Sequence, residues 1–444
     1  MKRIDLTITA LSPLSIGRQK PGGSVSETEN YIPGSVIRGA IAAQILQRYS
    51  QQEEYQQGEI DLRDNFSENG GEFQALFLGD NPAIFQNAYP AIAKIGKDES
   101  RFINNEVWVL PATAVSSKNE SGFQSEGKNG VFDTLIDRFC AEAYNQPYDF
   151  NDSKSLADGT DARVEPYSGF YSQTNDNQTE RKYFRHSVST RFITRVGINR
   201  RRATAEDDIL YSIEVLNESF LKNPKATFKN WEDAAYRSSI FIQNDSLSAS
   251  LLQFINAKPD AFRLGGSASR GLGKVKIKAK DSDALTQVKS RINNFNQKLE
   301  KRWQEWKKTF GELTTNLLEN RTYFTLDLQS DAVLTDNWQR TTVISPEMLQ
   351  QFADLDAPVE LHVAYASYDC ISGWNSAWGL MKDVELVTNK GAVYLFSTTK
   401  YKESEWIEAL KNLELKGVGD RTAEGFGQVQ VCNEFHNVFR EEAV

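Results

Sequence analysis

Cysteine, histidine and long apolar runs are all scarce in this chain. Three cysteines occur, Cys140, Cys370 and Cys432, far apart among 444 residues. That spacing excludes a CxxC zinc knuckle, argues against a disulfide framework and points to a reducing cytoplasm. No apolar stretch approaches the roughly 20 residues that a membrane helix needs. Met1-Lys2-Arg3 runs directly into an alternating segment, without a secretory leader. We therefore expect a cytoplasmic protein with no membrane partner. Net positive charge is missing too. The formal balance is −9, so no bulk field attracts nucleic acid, and any such contact must use local patches. The three histidines, His186, His362 and His436, are scattered. Asp5, Asp133 and Asp137 offer carboxylates but no metal-ligand spacing, so neither metal nor cofactor is expected.

What the chain does have is a glycine-rich unit written twice. Gly271-Leu272-Gly273-Lys274-Val275-Lys276-Ile277 recurs as Gly425-Phe426-Gly427-Gln428-Val429-Gln430-Val431. Each copy follows a polar loop with one arginine, Leu264-Gly265-Gly266-Ser267-Ala268-Ser269-Arg270 and Gly417-Val418-Gly419-Asp420-Arg421-Thr422-Ala423-Glu424. Glycines then give way to alternation, as in a loop that feeds a half-buried strand. Neither copy is a Walker A loop, since no Gly-Lys-Ser/Thr closes it. Neither is a dinucleotide fingerprint, since each enters a strand rather than a helix. One reading is a backbone nest with Arg270 and Lys274, or Arg421, suited to a phosphodiester. The other is that the glycines only let the loop cross closely over a sheet.

The doubling suggests two related modules. Residues 3–11 alternate, with Ile4, Leu6 and Ile8 on one face. Ser35 is a candidate N-cap for a helix with Ile37, Ile41 and Ile45 at i, i+4, i+8. Polar insertions fill about 51–75 and 116–180, broken by a short amphipathic run over Val131–Tyr144. Strands are predicted at Ser187–Thr194, Ile209–Leu216 and Ser239–Ile242, and a helix at 246–257. The fold class is thus α+β, two ferredoxin-like (RRM-like) domains with long insertions. The first spans 1–280 with a basic hairpin at 181–217, and the second spans 319–444. Between them, 281–318 carries a long amphipathic helix of about 40 Å. Its stripe is Val288, Ile292, Phe295, Leu299, Trp303, Trp306 and Phe310, and its other face is basic.

The densest basic segment is Arg181–Arg202. It holds Arg181, Lys182, Arg185, Arg191, Arg195, Arg200, Arg201 and Arg202, no acidic residue, and the aromatics Tyr183, Phe184 and Phe192. Arginine forks phosphates and stacks on bases, so this is a candidate nucleic-acid surface. The plainer alternative is a solvated hairpin whose arginines pair with Glu206, Asp207 and Asp208. His186 lies inside the segment, either as a contact or as a general base on a 2′-hydroxyl.

Three stretches carry a family resemblance. They are Tyr31-Ile32-Pro33-Gly34-Ser35-Val36-Ile37-Arg38-Gly39-Ala40, Trp108–Ala114 followed by Gly130–Ile136, and Thr194–Glu206. With the two glycine loops, they resemble the RAMP superfamily of CRISPR-associated RNA-binding proteins, and more specifically the two-domain RAMP subunit of type III-D effector complexes. The resemblance implies a non-catalytic subunit that caps the repeat-derived 5′ tag of the guide RNA (crRNA). Its partners would be the large polymerase/cyclase-type subunit and the RAMP backbone subunits, with target RNA met indirectly. It also implies that Gly34, Ser35 and Arg38 meet guide phosphates at a helix N-terminus. Gly265–Lys274 and Gly417–Gly427 would cradle the tag, and the 185–202 arm would act as a thumb. The alternative from the same family is a metal-independent endoribonuclease that processes repeat RNA, with His186 as base and Arg185 or Lys182 stabilising the phosphorane.

Overall fold

A computed structural model describes residues 1–18, 27–50, 71–96, 99–159, 161–176, 180–199, 201–202, 204–284, 286–313, 316–375 and 380–444. In the first part of the chain the elements used below are β1 (Lys2–Ala10), α1 (Gly34–Ser50), β2 (Ile84–Phe85), α2 (Leu135–Ala143), β3 (Thr190–Asn199) and β4 (Thr204–Leu216). Then come β5 (Ala235–Ile242), α3 (Asp245–Ala257), β6 (Val275–Asp283) and α4 (Val288–Phe310). The last are β7 (Arg321–Leu328), α5 (Pro346–Ala353), β8 (Val359–Tyr365), β9 (Val393–Thr399), α6 (Glu403–Lys416) and β10 (Val429–Val431). Among the described residues no helix is long and apolar enough to cross a membrane.

The first sheet has the antiparallel order β6-β1-β5-β2. Along β1, Ile4, Leu6, Ile8 and Ala10 are buried and the residues between them face the other way. The buried face meets α1 and α3, whose Ile37, Ile41, Ile45, Leu251 and Ile255 join the same core. The second sheet repeats the plan as β8-β9-β7-β10, backed by α5 and α6. Both are strand–helix–strand, strand–helix–strand units with the last strand paired to the first, the split βαβ arrangement of ferredoxin-like folds. The fold is α+β.

The long helix α4 buries Val288, Ile292, Phe295, Leu299 and Trp303 in the second core, while Phe310 stands exposed. Each buried residue contributes about 2 kcal/mol of hydrophobic stabilisation. Part of its basic face is spent inside the molecule. Arg302 forks Asp137 of α2, with Nη2–Oδ2 at 2.9 Å, and Arg291 pairs with the partly buried Glu414.

Three expectations need correction. The polar insertion over 116–180 carries regular structure, including a helix, Ser153–Ala157, and the strands Val164–Pro166 and Phe170–Asp176. Helix also occupies Gly71–Phe77, and the rest of the 51–75 insertion lies outside the described residues. The basic segment is not one hairpin. Glu180–His186 belongs to a five-stranded sheet beside Phe170–Asp176, and only β3 and β4 form the hairpin, each longer than its apolar alternation indicated.

Candidate nucleic-acid interface

The two glycine loops share one backbone conformation. Leu264 and Val418 each donate an amide to the carbonyl of Gly273 and Gly427, both at 2.8 Å. Gly266 and Asp420 donate to Ser15 and Val333, and Gly273 and Gly427 donate to Pro13 and Asp331. A one-turn 3-10 helix follows in each, Ala268–Arg270 and Thr422–Glu424, closed by Gly271 or Gly425 at φ 86° and 94°. The structural equivalents are therefore Ser267 with Arg421 and Arg270 with Glu424, so the two arginines are not counterparts. The amides of Gly266, Gly273 and Gly427 are spent on the chain's own carbonyls, which corrects the expectation that they form an anion nest. Gly265, Gly417 and Gly419 also have positive φ, with backbone oxygen where a Cβ would stand.

Both loops open onto one cleft of about 1120 Å³, floored by Ser35, Val36 and Gly39 of α1. Gly425 lies so close to the start of α1 that a Cβ on it would stand 3.1 Å from the Cα of Gly34. Gly34 itself donates its amide to Asn87 at 2.8 Å. Its amide is thus spent inside the chain, and its lack of a side chain serves close packing against Phe85 and the second loop. Ser35 lies within the first turn of α1 and so does not cap it. The Arg38 guanidinium donates to the Phe77 carbonyl and lies over the Phe77 ring, held by its own unit.

Charge in the cleft is mixed. Arg18, Arg263, Lys382 and Arg421 face Glu29, Asp331, Asp383, Glu385 and Glu424. Arg421 is held by Glu424 at 2.7 Å and Glu385 at 3.0 Å, over the Phe426 ring. Burial works against its charge, but the two carboxylates outweigh that and raise its pKa. Burial raises the pKa of Glu29 against the opposing pull of Lys390 and Arg18.

The β3–β4 hairpin hangs from the first loop. Arg195 donates to the Arg270 carbonyl at 3.2 Å, and Arg270 donates to the Tyr211 hydroxyl at 2.7 Å. Arg191 pairs with Glu218 at 2.8 Å. Arg201 and Arg202 are exposed at the tip, and Arg200 lies outside the described residues. One face of the arm exposes Phe192, Val196 and Leu210, with Ile198 exposed beyond a bulge. Lys274 and Gly271 stand exposed beside the loop, and a Cβ on Gly271 would meet nothing.

Arg185 and His186 stay away from both the cleft and the hairpin. Arg185 covers the Tyr167 ring. His186 is buried with Nε2 2.8 Å from Ser172 Oγ, and burial lowers its pKa to about 3. Its imidazole is thus closed off from the surface of the chain, where the expected contact needs it exposed. His362 bonds Ser397 at 2.8 Å between the Phe139 and Tyr323 rings. His436 has no sequence neighbour that marks it, yet it sits wholly buried between two carboxylates. Its Nε2 is 2.7 Å from Asp327, and its Nδ1 lies 3.1 Å from Asp133 with poor hydrogen-bond alignment. Burial opposes its charge, but Asp327 and Asp133 prevail and raise its pKa to about 10. Asp5 and Asp137 are likewise held by Arg3 and Arg302.

A family model described as the RAMP superfamily matches residues 7–276, more than half of the chain. The chain belongs to the RAMP superfamily. No curated protein matches it. Among solved structures, this RAMP chain is similar to one of the type III-B Cmr-beta complex bound to cognate target RNA. Identity there is 13%, covering 91% of this chain and 94% of that one, with a TM-score of 0.34. It is also similar to oligomeric Cmr4 from Pyrococcus furiosus, at 11% identity over 63% of this chain and 99% of that one, TM-score 0.25. A Cas6 product complex shows 12% identity over 46% and 80%, TM-score 0.25.

Proposed function

We propose that this RAMP protein is a non-catalytic, RNA-holding subunit of a type III CRISPR ribonucleoprotein in the cytoplasm. In this reading it grips the repeat-derived 5′ tag of the guide RNA and contacts the large polymerase-type subunit and the first backbone subunit. The observation that carries the reading is convergence. Two loops of one conformation, 154 positions apart by their paired hydrogen bonds (Leu264 with Val418, Gly266 with Asp420), open with the first turn of α1 onto one cleft. The arm fixed to the first of them exposes arginines at its tip and apolar side chains on one face. Arginine supplies phosphate contacts, and apolar residues can wedge between unstacked bases. A holding role rather than a cutting one is supported by the histidines: His186 and His436 are buried, and His362 is wedged between rings.

The test is co-expression with the partner subunits and a guide. Copurified RNA with a constant repeat-derived 5′ end is expected. Changing Arg201 and Arg202 to alanine weakens binding and flattens its salt dependence, by roughly one counterion for each phosphate no longer neutralised. An RNA-free assembly, or metal-free cutting of repeat RNA by the purified chain, contradicts the proposal.

A further inference from the structure

One exposed side chain stands where the backbone does not favour it. The strands Leu334–Asp336 and Gln339–Thr341 pair into a hairpin whose two-residue turn is Asn337-Trp338. Both turn residues lie at positive φ, 46° and 65°. Asparagine tolerates that region, but a bulky indole there is an outlier. Trp338 is the one aromatic residue at positive φ among the described residues. It is also 99% exposed, so no contact within them offsets the conformation. A single exposed apolar side chain needs no explanation. Complete exposure combined with left-handed strain does, because such strain gathers at functional sites.

The root of this hairpin is fixed. Leu334 is buried in the second core, and Thr388 donates its hydroxyl to the Thr341 carbonyl at 3.3 Å. Arg340 donates to Asp420 of the second glycine loop at 2.9 Å, and Thr335 donates to the same carboxylate at 3.2 Å. The indole is thus held out on a stem anchored to that loop. A neighbouring hairpin, Tyr368–Ile371 with Glu385–Thr388, packs against the stem and exposes Tyr368, with Val384 exposed just before its second strand.

Charge around the stem selects the occupant. The hairpin and the groups ion-paired with it hold Asp336, Glu385, Asp420 and Glu424 against Arg340 and Arg421. Carboxylates in excess repel a phosphate backbone, which argues against RNA at this point. Tryptophan is enriched among the few residues that dominate protein–protein binding, and its two side-chain torsions cost little to fix. A protein pocket with an apolar floor and a basic rim complements both features.

We propose that Trp338 is the anchor by which the chain docks a neighbouring protein subunit, its indole filling an apolar pocket rimmed by lysine or arginine on that subunit. The inference rests on the ribonucleoprotein reading above and names the surface of one protein contact within it.

The experiment uses the full chain and, as probe, the remaining subunits purified together as a guide-loaded subcomplex. Trp338→Gly raises the melting temperature of the free chain, because the turn is relieved. The same variant weakens binding to the subcomplex about a hundredfold, the loss of a dominant contact. Trp338→Tyr keeps a ring and stays within about tenfold of the wild type. Independently of any variant, hydroxyl radicals oxidise the Trp338 indole in the free chain and spare it in the assembly, while guide RNA alone gives no protection. Wild-type affinity in Trp338→Gly, an indole oxidised equally in the assembly, protection by guide RNA alone, or protection by a second copy of the chain each overturn this inference and leave the ribonucleoprotein reading standing. Failure of the wild-type chain to join the subcomplex removes the two together.

Discussion

At the scale of single residues, the chain spends polar side chains on holding itself together where its sequence reads as functional. His436 is the clearest case. Its two carboxylate neighbours come from the strand Val131–Asp133 and from β7, so a charge at the centre ties three remote segments. Its folded pKa is raised to about 10 from 6.5. The stabilisation is fully present below about pH 6.5, where both folded and unfolded imidazoles are charged. It is lost as pH rises toward 10, because the unfolded state releases its proton first. We expect thermal stability to fall between pH 7 and pH 10, with a smaller fall in Asp133→Asn, where one partner of the charge is gone. Melting curves across that range check it, and equal slopes for the two proteins contradict the assignment. His186 shows the opposite outcome of burial. Desolvation alone acts on it, and its imidazole is neutral.

At the scale of elements, the parts most legible in the sequence are those whose pattern is local. The alternation of β1, the four-three spacing of α4 and the helix expected at 246–257 all agree with the structure within a few residues. The layer between residues 107 and 186 does not. Apart from the local pair Phe170–Asp176 and Glu180–His186, its strands are two to four residues long, so periodicity within most windows is weak. The glycine loops are plain in the sequence, but matching arginine to arginine misaligns them, because the hydrogen bonds match Ser267 to Arg421. The hairpin Leu334–Asp336 and Gln339–Thr341 has no glycine to announce it. Its two-residue turn puts Asn337 at φ 46° and Trp338 at φ 65°, a type I′ geometry that favours glycine at the second position. Trp338 is 99% exposed there, so nothing among the described residues offsets the left-handed strain. Trp338→Gly is expected to stabilise the fold by about 1 kcal/mol, the left-handed penalty less the added entropy of glycine. Urea unfolding measures it, and a loss of stability would mean that the indole makes contacts within the chain.

At the scale of the whole molecule, the repeat in the sequence suggests two separable halves, but the cores do not divide that way. Leu135, Ile136, Phe139, Cys140 and Tyr144 of the first half lie in the second unit's core, against α4 and β7. Conversely, Phe435 and Val438 from the chain's last residues complete the layer built on Ala114–Ser117 and Val131–Asp133. Val444 and Val131 exchange both backbone hydrogen bonds, at 2.8 and 3.0 Å. Cutting the chain at residue 285 would therefore expose an apolar face on each piece. At about 25 cal/mol per Å² of apolar surface, five such side chains on one fragment alone forfeit on the order of 10 kcal/mol, comparable to the whole stability of a domain. We expect residues 286–444 expressed alone to be insoluble or without fixed tertiary structure. Co-expression with 1–284 restores a compact complex that runs as one species in size exclusion. Sharp, dispersed NMR signals from the isolated 286–444 fragment would show that its core closes without the first half. In that case the first half's contribution to the second core would be an ornament of the fold rather than a condition of it.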